Sequence, residues 1–92
     1  MYTYIWQYYV KYDFISEFEK IYGATGAWVQ LFKGANGYKG TELLRDYGNE
    51  RRYMTIDSWI SKSDYEAFRK QFAAEFAELD KICESLTEEK IF

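Results

Sequence analysis

Asp57 is the residue whose setting most invites chemistry in this 92-residue chain. It lies in the run Tyr53-Met54-Thr55-Ile56-Asp57-Ser58-Trp59. On an extended strand, side chains two apart share a face, so Tyr53, Thr55, Asp57 and Trp59 look the same way. A carboxylate flanked by aromatic rings has its charged form disfavoured by desolvation, which lifts its pKa towards general-base range. Two blander fates remain open: a bulge that leaves Asp57 at the strand edge, or an ion pair with Arg45. Other chemistry is harder to build. The chain has no histidine, which removes a Ser-His-Asp triad, the usual haem ligand and the common neutral-pH base. Cys83 is the only cysteine, so neither a disulfide framework nor a four-ligand zinc site is expected. It reads as a small buried hydrophobe, with a reactive thiol the lesser alternative.

The elements that must position Asp57 follow from periodicity. Residues 3–10 are β-branched and aromatic almost throughout, which favours a strand. Tyr4, Trp6, Tyr8 and Val10 mark one face, and Ile5, Gln7 and Tyr9 the other, so both faces are covered. Asp13 offers an N-cap for a helix carrying Phe14, Phe18, Ile21 and Tyr22, with Gly23 as its end. Trp28, Leu31 and Phe32 repeat the helical spacing before Gly34. Residues 38–46 and 52–60 read as antiparallel strands joined by the polar connection 47–51. Ser63-Asp64-Tyr65-Glu66 has the form of a capping box. Behind it Tyr65, Phe68, Phe72, Phe76, Leu79, Cys83 and Leu86 hold one helical stripe. Lys90-Ile91-Phe92 is the start of a fourth strand.

That order, β, α in two pieces, β, β, α and a strand stub, predicts an α+β ferredoxin-like antiparallel sheet with its helices on one face. Residues 1–92 form one domain on this reading. The far face of the sheet would carry Ile5, Tyr9, Met54 and Ile56, too apolar to leave wet. Docking two such faces through a two-fold axis predicts a homodimer. Tyrosine, phenylalanine and tryptophan make up 22% of the chain, which adds to the case for a second subunit or a sizeable apolar pocket.

Twelve Lys and Arg against 15 Asp and Glu give a net charge of −3. No nucleic-acid partner is expected, because polyanion binding needs a basic face, and Arg51-Arg52 fits a solvated turn. An RNA-recognition fold shares the element order, but strand 52–60 lacks its basic-Gly-aromatic-Gly pattern. No apolar run reaches the roughly 18–20 residues needed to cross a bilayer. The N-terminus has no basic start or cleavage site of a signal peptide, so a cytoplasmic protein is the expectation.

The stretches YGATGAWVQLF (22–32), GYKGTELLRD (37–46) and RRYMTIDSWISKSDYEAFR (51–69) resemble the antibiotic biosynthesis monooxygenase-like family of the dimeric α+β barrel superfamily. With the first strand they span nearly the whole chain. The resemblance implies a dimeric α+β barrel with a pocket between helices and sheet in each subunit. It also implies oxygenation of small phenols, quinols or polycyclic aromatics without a metal or flavin cofactor, the protein chiefly positioning and desolvating the substrate. Trp59 falls on the family's tryptophan at the end of the third strand, where its indole edge would serve a substrate oxygen beside Asp57, or plug the core. The candidate pocket lining is Trp6, Tyr8, Trp28, Phe32, Tyr53, Phe68 and Phe72, with Trp28 and Phe32 closing the mouth and Gly23 and Gly26 bracketing a lid. The haem-degrading branch places an asparagine on the first strand and a histidine on the second long helix. Trp6 occupies the strand position here and no histidine exists, which argues against that activity. The alternative to an enzyme is a non-catalytic homodimer that binds a small aromatic metabolite.

Overall fold

The structure, a computed structural model, describes residues 1–91, and side chains through residue 88. Strand β1 (Tyr2–Val10) leads through a single 3-10 turn (Tyr12–Phe14) into α1 (Ile15–Tyr22) and α2 (Ala27–Phe32). Strands β2 (Tyr38–Asp46) and β3 (Asn49–Trp59) follow, then α3 (Lys62–Gln71) and α4 (Ala73–Cys83). A second 3-10 turn (Glu84–Leu86) delivers β4 (Thr87–Ile91). The four strands are ordered β2-β3-β1-β4, every pair antiparallel. This is the α+β ferredoxin-like arrangement, with β1 and β3 at the centre.

The alternation in β1 and β3 decides which face is buried. Tyr2 pairs with Trp59, Tyr4 with Asp57, Trp6 with Thr55 and Tyr8 with Tyr53. On β3 every second residue from Tyr53 to Trp59 is buried, which is the face the helices cover. Phe18, Phe68 and Trp59 are fully enclosed there, with Trp59 touching Phe32, Tyr38, Tyr65 and Phe68 edge-on or tilted. The other face pairs Ile5 with Ile56 and Leu44 with Met54. Ile5 and Leu44 keep 45% and 46% of their surface exposed. Helices on one face and an apolar opposite face are both as the alternation predicts.

Several local expectations give way. Asp13 caps nothing: it sits inside the 3-10 turn, and α1 begins at Ile15 without a side-chain cap. The cap of α3 is Ser61 rather than Ser63, its Oγ accepting from the Asp64 amide at 3.2 Å. The sequence Ser61-Lys62-Ser63-Asp64 offers two hydroxyls, and the extended backbone at residue 61 (φ −148°, ψ 162°) selects the first. The long stripe from Tyr65 to Leu86 is one face but two helices. Phe72 departs from helical angles (φ −110°, ψ 28°) while its amide still reaches the Phe68 carbonyl at 2.9 Å. Its ring meanwhile lies against Phe68 and the Gly34 loop. The β2–β3 connection is Tyr47-Gly48 alone, because β3 starts at Asn49. The fourth strand begins at Thr87, three residues before the stub read from sequence, and pairs with β1 from Gln7 to Val10. Phe92 lies outside the described residues. Arg51 ties this edge down, with Nε donating to the Val10 carbonyl at 2.9 Å, a second nitrogen on Glu88 and the guanidinium over the Tyr9 ring.

The two short helices meet at Gly26. A Cβ at that position would run into the carbonyl oxygens of Lys20 and Ile21, so α2 can approach the end of α1 this closely only with glycine there.

Candidate functional site

Asp57 is 5% exposed and lies on the helix-covered face of β3. Neither bland fate applies. It is interior to the sheet, and Arg45 sits opposite Tyr53, where its guanidinium is 3.9 Å from Glu19. The partner of Asp57 is Thr41, directly across on β2, whose hydroxyl donates to Oδ1 at 2.7 Å. The Tyr38 hydroxyl stands 2.5 Å from Thr41 Oγ1. Since Thr41 has one hydroxyl proton and Asp57 receives it, Tyr38 donates to Thr41. Burial pushes the Asp57 carboxyl up to about 6, against the smaller downward pull of the Thr41 hydrogen bond.

Asp57 opens onto a hollow lined also by Trp6 and Tyr8 of β1, Tyr22 of α1, Trp28 and Phe32 of α2, Thr41, Thr55, Tyr65 and Phe76. Counted out to the solvent at its mouth the hollow measures about 460 Å³, but the free space inside is about 30 Å³. That inner space suits one or two water-sized molecules or O₂, whereas sites for drug-sized ligands run to roughly 300–1,000 Å³. Trp6, Thr41 and Phe76 are the half-buried parts of the wall. Outside it, Arg69 covers the Phe76 ring at 3.9 Å and donates to the Tyr65 hydroxyl at 3.0 Å.

The wall is polar at few points. Tyr8 and Thr55 bring their hydroxyls to 3.4 Å, and burial raises the Tyr8 phenol well above its usual range. Tyr22 is raised in the same way by burial, and further by its neighbours Tyr8 and Cys83. Among the described residues no hydrogen-bond partner meets the buried Nε1 atoms of Trp28 and Trp59. The first of these belongs to the wall of the hollow and the second to the packed core.

The structure thus brings Asp57, Trp6, Tyr8, Trp28 and Phe32 together around one space. Trp28 and Phe32 are 7% and 5% exposed, so they form the inner wall rather than the mouth. Trp59, Tyr53, Phe68 and Phe72 lie elsewhere. Trp59 and Phe68 pack behind Phe32, and Phe72 lies beyond Phe68. Tyr53 packs at a tilt against the Phe18 ring and donates to Glu19. Tyr22, Thr41, Tyr65 and Phe76 belong to the wall without having been singled out. Tyr22, Tyr65 and Phe76 were legible only as core stripe. Thr41 was hidden by an irregularity in β2, whose sequence signal is a glycine inside a strand.

The buried Asp57 carboxyl thus faces a ring-lined hollow beneath the helices of a ferredoxin-like α+β sheet. The sequence profile of the antibiotic biosynthesis monooxygenase family matches residues 1–78, and the chain belongs to that family. No curated protein matches the sequence. Among solved structures, SnoaB, a cofactor-independent oxygenase from Streptomyces nogalater, is similar over 97% of this chain and 86% of its own, with a TM-score of 0.78 and 20% identity. A putative antibiotic biosynthesis monooxygenase from Nitrosomonas europaea is similar over 99% and 92% of the two chains (TM-score 0.72, 16% identity). One from Bordetella bronchiseptica covers 95% and 85% (TM-score 0.72, 23% identity). At these identities the structural likeness speaks to the fold. Among the described residues no cluster of ligands fit to hold a metal ion is present, and no helix is long and apolar enough to cross a membrane.

Proposed function

We propose that this protein is a cofactor-independent monooxygenase of small phenols or quinols, with Asp57 as its general base. The observation that carries the reading is the Asp57 carboxyl, enclosed by rings and raised to about 6, at the edge of the hollow. A base poised near neutrality accepts a phenolic proton without being held permanently protonated. The phenolate passes one electron to O₂, and the radical pair joins at an unsubstituted ring carbon, para to the oxygen in a simple phenol and ortho to it in a hydroquinone. Asp57 returns its proton to the resulting peroxide. Loss of water, which carries away the hydrogen of that carbon, leaves a second carbonyl. Phenol and O₂ thus give quinone and one water, and no outside reductant is consumed. The dry aromatic wall favours the step because it keeps water from the radical pair. A ring enters by displacing the half-buried Trp6 and Phe76, since the inner free space alone does not hold one.

The working unit of this reading is a homodimer closed through the open sheet face, where Ile5, Leu44, Met54 and Ile56 form a continuous apolar surface. Its place is the cytoplasm.

Oxygen uptake tests the function. Metal-stripped, flavin-free protein mixed with phenols and hydroquinones is expected to consume one O₂ per quinone formed, without hydrogen peroxide. Background uptake across the panel contradicts it. Ring binding without uptake would favour the alternative, a non-catalytic dimer that holds an aromatic metabolite.

A further inference from the structure

The placement of Thr41 rests on a defect in β2. Tyr38 pairs with Trp59, but Gly40 pairs with Ser58 and Thr41 with Asp57, so one extra residue is inserted at Lys39. Without it, residues 38 and 41 are an odd number apart and point to opposite faces. With it, both hydroxyls reach the buried face and meet at 2.5 Å. Gly40 carries the irregularity at φ 145°, a conformation side chains rarely adopt, although a Cβ there would meet nothing within 4 Å. The glycine is therefore required by the backbone angle and not by crowding. A bulge that re-aims a side chain beside a site is a recurrent device of antiparallel sheets.

We propose that the bulge at Lys39-Gly40 exists to build a positioning chain, Tyr38 to Thr41 to Asp57 Oδ1, which fixes the carboxylate and leaves its second oxygen for the substrate hydroxyl. The proposal rests on the reading of Asp57 as the base. It assigns Thr41 and Tyr38 roles as positioning residues. The distances run 2.5 Å and then 2.7 Å, each hydroxyl giving its proton inward. A donor aimed at a carboxylate favours the charged form and holds one geometry. The other titratable groups facing Asp57 are phenols: Tyr4 and Tyr8 of β1, Tyr38 of β2, Tyr22 of α1 and Tyr65 of α3. Burial raises the last four of these above their ordinary range, which leaves Asp57 to titrate alone near neutrality within the cavity wall.

The test is a carbon-13 titration of the Asp57 carboxyl in the resting protein, without substrate. Thr41→Val is expected to raise its midpoint by roughly one unit. Thr41→Ser restores the wild-type midpoint. Tyr38→Phe shifts it upward by less, and Gly40→Ala shifts it upward without touching either hydroxyl. An unchanged midpoint in Thr41→Val and Tyr38→Phe overturns the proposal, and so does a Ser variant that behaves like Val. Oxygen uptake is read in parallel: the acid limb of the pH profile moves with the midpoint in each variant. If wild-type protein shows no uptake, the functional reading falls, while the titration still decides whether the chain tunes Asp57.

Discussion

At the scale of single residues, Asp57 has a cost that can be measured without any substrate. Its folded pKa near 6 lies above the ordinary value of 3.8. Between those values the folded protein binds the extra proton. Its contribution to stability is therefore full below 3.8 and is lost as pH rises towards 6. That upward shift amounts to about 3 kcal/mol at pH 7. Asp57→Asn removes the charge and can still accept from Thr41, so it is expected to stabilise the protein at pH 7 by about 2–3 kcal/mol and to flatten the slope between pH 4 and 6. Urea unfolding across that range checks it. A variant less stable than wild type at pH 7 would show that the carboxylate is better solvated than its burial indicates. The aromatic setting of Asp57 was legible from strand alternation, because side chains on β1 and β3 keep strict register. Thr41 was not legible, since alternation counted along β2 fails at the inserted residue.

At the scale of elements, periodicity located the strands and helices but did not place their ends. Ser61 and Ser63 are equivalent as sequence symbols; the extended backbone entering α3 decides between them. Ser61→Ala is accordingly expected to cost about 1 kcal/mol, while Ser63→Ala changes stability by a few tenths at most. Thermal or urea unfolding of both variants measures the difference, and equal losses would return the cap to the position read from sequence. The break at Phe72 was invisible because the stripe of rings continues unbroken across it. The same logic separates Trp59 from Trp28. Both stand at apolar positions, and only the packing of α2 over the sheet shows which indole meets the hollow.

At the scale of the molecule, the helix-covered face of the sheet is closed within one chain and the opposite face is not. Ile56 lies half-buried at the centre of that open face, paired with Ile5. Ile56→Asp is expected to reduce a dimer of about twice 11.1 kDa to monomer, because it puts an unpaired charge into a dry interface. Light scattering at micromolar concentration reads this directly, and a variant that keeps dimer mass would place the interface elsewhere. Fold and family were legible because they rest on alternation, helical stripes and extended motifs. The tightness of the hollow was not, since free volume depends on how rings interdigitate. The most direct measurement is oxygen consumption by metal-stripped protein with phenols and hydroquinones that keep an unsubstituted ortho or para carbon, followed from pH 5 to 8. Uptake should rise through a midpoint near 6 and fall by roughly a hundredfold or more in Asp57→Asn. Uptake at background in wild type, or undiminished in Asp57→Asn, would contradict Asp57 as the base of a cofactor-independent oxygenase.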